Sequence, residues 1–145
     1  MPSLNELQTK MQSPDAAVAA EAGKTLANYY YVYNQEYNAL VVAKQQANAE
    51  LDNVTHNPAG VNTADALMLQ SLVLANEARM KMLDGKMLAF HNSGLDITPP
   101  SQQMIADIKN LSAQVALIQV KADAVSKILG LLTQIAQLTT QVQGA

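Results

Sequence analysis

Between Gln102 and Val142 the chain places a mostly apolar residue at alternating steps of four and three: Met104, Ile108, Leu111, Val115, Ile118, Ala122, Val125, Leu129, Leu132, Ala136 and Thr139. That spacing keeps one stripe on a helix surface and predicts one long helix, from about 101 to 143, packed lengthwise against others. From Leu117 a second stripe runs beside the first through Lys121, Ala124, Ile128, Leu131, Ile135, Leu138 and Val142, so the apolar face widens toward the C-terminus. One stripe needs one partner surface, and two need more.

The same periodicity recurs upstream. A stripe through Leu26, Tyr30, Tyr33, Tyr37, Leu40, Lys44, Ala47, Leu51 and Val54 predicts a helix over about 14–53, and one through Ala66, Leu69, Val73, Asn76, Met80, Leu83, Met87 and Phe90 predicts another over about 63–91. Ser3 and Glu6 have capping-box spacing, which predicts a short helix over about 3–12. Ser13-Pro14-Asp15 then restarts the chain, with a capping hydroxyl, a proline that needs no N–H and a carboxylate at the positive helix end. The turn-rich runs 53–62 and 91–100 separate the long helices, with Asn62 or Thr63 and Ser101 as caps and Gly94 suited to a left-handed C-cap.

These elements predict an all-α, antiparallel up-down-up bundle of three long helices plus a short N-terminal helix, in one unit of 145 residues. The lengths then raise a difficulty. The last helix exceeds its predecessor by about 14 residues, or about 21 Å, so the segment from Gly130 onward lacks a partner inside a straight three-helix monomer. Exposing its large apolar side chains would forgo about 1.5–3 kcal/mol each. Either the helix breaks at Gly130 and folds back, or a second copy or another protein docks there. Docking is the expectation, because glycine inside a helix costs only about 1 kcal/mol. The expected interaction surface is Ile128, Leu131, Leu132, Ile135, Leu138 and Val142.

Composition narrows the partners. Charged residues are 14% of the chain, against about 25% in an ordinary globular protein, and the net charge is −3. The nine Lys and Arg are scattered, which disfavours nucleic acid and anionic membrane surfaces. With no cysteine, disulfides, thiolate metal sites and cysteine nucleophiles are excluded. The start, Met-Pro-Ser-Leu-Asn-Glu, has neither a basic nor an apolar signal region, so no Sec-type signal is expected. The run from Ile128 to Ala145 is too short and too rich in Gln and Thr to span a bilayer. In composition alone the chain is similar to helical bacterial proteins exported by specialised secretion systems. The expected location is the cytoplasm, or the outside by a signal-independent route, and not within a membrane.

Candidate chemistry is thin. Tyrosines at 29, 30, 31, 33 and 37 form the most unusual local cluster. Tyr30, Tyr33 and Tyr37 fall on the stripe and are expected in the core, whereas Tyr29 and Tyr31 project to either side as a second candidate surface. Lys44 and Asn76 interrupt apolar stripes, as register-setting residues do. The methionines of 63–91 suit either a core or an adaptable surface. Glu77 with Lys81 and Asp123 with Lys127 have the spacing of solvated helix-face pairs. His56 and His91 lie in successive connections, about 40 Å apart across a helix of about 27 residues, and cannot share a metal. His91, Ser93 and Asp96 carry the names of a triad, but no nucleophile turn or oxyanion hole accompanies them. No catalytic residue, cofactor or metal site is expected. The sequence favours a non-enzymatic interaction or structural protein acting through helix faces, with a protein partner or homo-oligomer at the C-terminal helix. The alternatives are a secreted factor assembling on membranes and a small-ligand carrier using the tyrosines.

Overall fold

Side-chain caps set where the helices begin. The computed structural model describes residues 1–143. It contains α1 (Leu4–Met11), α2 (Ala16–Thr55), α3 (Thr63–His91), α4 (Gln102–Leu117) and α5 (Val125–Gln143), with a 3-10 turn at Ala122–Ala124 leading into the last. Among the described residues there is no strand. Ser3 Oγ accepts from the Glu6 amide, Asp15 Oδ1 from Ala17, Asn62 Oδ1 from Asp65 and Ser101 Oγ from Met104, each satisfying a first-turn donor that the helix itself cannot. At the second boundary the cap is Asp15, and Ser13 instead accepts from the Asp15 amide. At the end of α3 the left-handed residue is Ser93, with φ of 54°, and not Gly94. The Gly94 amide reaches back to Ala89 O at 2.8 Å, closing the last turn, while Ser93 Oγ accepts from the Asn5 amide in the first turn of α1. The hydroxyl ties two helix ends together, which a glycine there could not do.

The helices are all-α as expected, but the third long helix is two. It stops at Leu117, crosses Ile118–Lys121 in extended conformation and returns as α5, so the bundle has four helices running up, down, up and down. Tyr30 meets His91 while Lys44 meets Glu77, which sets α3 antiparallel to α2. Lys121 bonds Glu50 at the far end of α2, and Gln143 reaches Tyr29 near its start, so α4 ascends and α5 descends along the same helix. α2 therefore packs against each of the other four helices. The connection from Asn92 to Ser101 is pinned at both chain ends, with the Ile97 amide on Pro2 O at 2.8 Å and the Thr98 amide on Val142 O at 2.7 Å.

Energetics decide the position of the break. Interrupting a helix forfeits about four backbone hydrogen bonds, worth about 0.5–1.5 kcal/mol each. Folding back buries Val125, Ile128, Leu131, Leu132, Ile135 and Val142, each worth about 1.5–3 kcal/mol. The gain exceeds the loss. Gly130, where the fold-back alternative placed the break, lies inside α5 on its exposed side. The turn sits earlier because only a break near residue 118 divides the segment into halves of matching length, 16 residues in α4 and 19 in α5. Ile118 and Val120, β-branched, tolerate the extended link, and Val120 is itself buried.

Candidate interaction surface and polar core

The face expected to dock a partner is covered from within. Ile128, Ile135 and Val142 are wholly buried, Leu131 and Leu132 nearly so, and Leu138 half-buried, all in the core shared with α2, α3 and α4. The premise that this segment lacks an intramolecular partner fails once α5 folds back, and with it fails the broad exposed face on which a membrane-assembling role rested.

The tyrosines also divide differently. α2 buries Ala22, Thr25, Tyr29, Val32, Glu36, Ala39, Leu40, Ala43 and Ala47, a stripe beside the expected one. Tyr29 is thus a core residue at 1% exposure, its ring 4.5 Å from that of Phe90, while Tyr30, Tyr33 and Tyr37 flank it half-buried. Burial is the main cause that raises the Tyr29 phenol above its ordinary pKa, against a lowering contribution from the Gln143 hydrogen bond. Burial likewise raises Tyr30, whose hydroxyl pairs with His91 Nε2 at 3.0 Å. Tyr33 is raised first by burial and then by its hydrogen bond to Asp84 Oδ1 at 3.1 Å, because that bond requires the phenol proton. Tyr31 alone of the two candidate surface tyrosines stays partly exposed, at the mouth of a groove of about 360 Å³ between α2 and α4. Ala39, Val42, Val115 and Ala116 line that groove, and Ser112, which also lines it, has a buried hydroxyl without a hydrogen-bond partner.

The core is crossed by one polar layer. Arg79, the only arginine in the chain, grips Glu36 in a fork, Nε to Oε2 at 2.7 Å and Nη2 to Oε1 at 3.0 Å. The Glu36 side chain is fully buried and that of Arg79 is 17% exposed. Arg79 Nη2 also lies 3.4 Å from Ala136 O on α5, and Asn76 Nδ2 donates to Leu40 O at 3.0 Å. These contacts tie α2, α3 and α5 together across the core. Lys44 leaves its stripe to pair with Glu77 at 3.3 Å, which displaces the expected Glu77–Lys81 pair. The signal for Glu36 lay in the sequence as the lone arginine on the facing helix, but a carboxylate at the centre of an apolar stripe argues against burial until its partner is known.

Of the residues that carry the names of a triad, His91 pairs with Tyr30 and Ser93 Oγ accepts from the Asn5 amide. Among the described residues no group of three or more metal-ligating side chains converges, and no helix is long and apolar enough to cross a membrane.

What remains exposed and apolar is concentrated on α3. Leu67, Met68, Leu74, Met82 and Leu88 stand at 43–62% exposure, facing away from Leu69, Leu72, Asn76, Leu83 and Phe90 in the core. Leu67, Leu74 and Leu88 share one seven-residue register, and Ala64, Ser71, Ala78 and Gly85, all exposed, share the adjacent one. This second heptad stripe was present in the sequence, hidden because the stripe on the opposite side of the same helix is richer. No known protein family, characterised protein or solved structure matches the chain.

Proposed function

We propose that this chain is a non-enzymatic helical interaction module whose working surface is the outer face of α3. The observation that carries the reading is the alignment of Leu67, Leu74 and Leu88 along one side of a helix whose other side already fills the core. A helix apolar on both sides belongs between two partners, and the bundle supplies only one. The flanks are nearly free of net charge, as a face that meets another helix requires and a face that meets phosphate does not. The test is a photo-cross-linking residue at Ala75, on the outer face, with a control at Gln45 on the exposed side of α2, used in the cells that make the protein. Protein adducts from position 75 and not from 45 are expected. Their absence at 75 would remove the reading.

A second reading, a small-ligand carrier, rests on the groove beside Tyr31 and on the unpartnered Ser112 hydroxyl. A thermal-shift screen of compact apolar ligands bearing one acceptor, with Ser112→Ala as control, separates it from the first.

A further inference from the structure

Resting on that reading, we infer that the occupant of the α3 face is a second copy of the same chain, its α3 antiparallel to the first about a two-fold axis close to Asn76. Register selects this partner. On the outer face, every seventh residue from Ala64 to Gly85 is small, and three of the four positions three residues further on are leucine. When two such helices run antiparallel with Leu74 opposite Ala78 of the second copy, Leu67 falls opposite Gly85 and Leu88 opposite Ala64. The two-fold repeats each pair.

Every leucine knob then meets a small hole. Met68 and Met82, the remaining exposed large apolar side chains of α3, fall opposite Asp84 and Gln70 in the same alignment. Beyond its own helix backbone and chain neighbours, nothing lies within 4 Å of the place a Gly85 Cβ would take, so that hole is open to an incoming leucine. Small residues at the contact let helix axes approach to the short end of the usual 8–10 Å range. The one charge on the seam, Lys81, faces Ser71 rather than another lysine, and Glu77 near the axis is already answered by Lys44 at 3.3 Å. A parallel pairing would set Leu on Leu, small on small and Lys81 on Lys81, leaving gaps between the leucine layers. Shape and charge both select the antiparallel dimer, an isologous contact that closes on itself.

The contact spans Ala64 to Leu88, about 36 Å of helix, and is narrower than a standard interface of about 800 Å² per partner, so association belongs in the micromolar range. Sedimentation of the full chain across that range is expected to show a reversible monomer–dimer equilibrium. Gly85→Leu, whose Cβ would meet no atom within 4 Å beyond its own helix backbone and chain neighbours, should keep the helical content and weaken the dimer by about tenfold or more, because a hole has been filled. Orientation is read from disulfides in this cysteine-free chain. Ser71→Cys mixed with Lys81→Cys should give a linked dimer under mild oxidation, and neither variant alone should. Like positions lie about 15 Å apart along the axis in this register, beyond the roughly 7 Å between Cα atoms that a disulfide tolerates. A monomer throughout the range, or links formed by either variant alone, would overturn the inference. Adducts from Ala75 that contain only some other protein would overturn the second copy and leave the interaction surface standing, whereas no adducts at all would remove both.

Discussion

Removing Arg79 is the sharpest test of the polar core. In Arg79→Met the thioether fills most of the volume, but the Glu36 carboxylate, fully buried, loses its forked partner at 2.7 and 3.0 Å. An uncompensated buried charge costs about 3–5 kcal/mol. Glu36→Met is milder, because Arg79 is 17% exposed on its side chain and can turn toward water, and about 1–3 kcal/mol is expected. The double variant Glu36→Met/Arg79→Met removes both charges and should return to within about 1 kcal/mol of the parent, since a buried pair rarely out-stabilises an apolar replacement. The coupling in this cycle is therefore large and of opposite sign to the single losses. Urea unfolding followed by helical circular dichroism at pH 7 reads all four species. If Arg79→Met costs under about 1 kcal/mol, water reaches Glu36 and the layer does not lock the bundle.

Three further outcomes follow from single positions. Gly130→Ala should raise stability by about 0.5–1 kcal/mol in thermal unfolding, because the site is helical, exposed and free of any neighbour within 4 Å; a loss would mean that this side of α5 is covered. The phenols of Tyr29, Tyr30 and Tyr33 are held protonated in the fold, so their stabilisation is complete below the ordinary pKa of about 10 and is lost as pH rises through the raised folded values. Tyrosinate absorbance from these three phenols and loss of helix should then rise together in alkali, and full titration of all five tyrosines near pH 10 with the helices intact would contradict the burial. The Lys121 hydrogen bond lowers the Glu50 pKa, so its contribution is present above the unfolded carboxylate value and is lost as pH falls through the folded one. Glu50→Gln should lower the melting temperature slightly at neutral pH and not at all near pH 3, and an equal loss at both would assign the effect to packing.

How much of this was legible turns on which information is local. Helix starts at Ser3, Asn62 and Ser101 were readable because a cap acts on amides two or three residues away, and all three hydroxyl or amide groups make the expected bond. The stripe on α3 was readable because Leu69, Val73, Asn76, Leu83 and Phe90 face one crowded side. α2 is harder, since it is packed by other helices around much of its circumference, and a helix with several neighbours has no single apolar direction. Its tyrosines drew the stripe toward themselves, while the true centre runs through alanines and Glu36, residues that look like surface until a partner is placed on them.

The turn at Ile118–Lys121 was illegible for a different reason: no glycine, proline or asparagine marks it, and the link is held by Val120 in the core and by Lys121 on Glu50 of another helix. Yet the sequence did hold the conflict that the turn resolves. Two apolar stripes on one helix, with more length than its neighbours could cover, require another surface, and the chain made that surface from its own first half, α4 against α5. The same reasoning applied to α3 has no such internal resolution. Its inner stripe is satisfied by the bundle, its outer stripe is not, and every other long element of the described chain is already committed to the core. Where a second stripe in one helix was answered by folding back, the second stripe of α3 stays uncovered in the fold, and its alternation of leucine with small residues is what the proposed pairing with a second copy rests on.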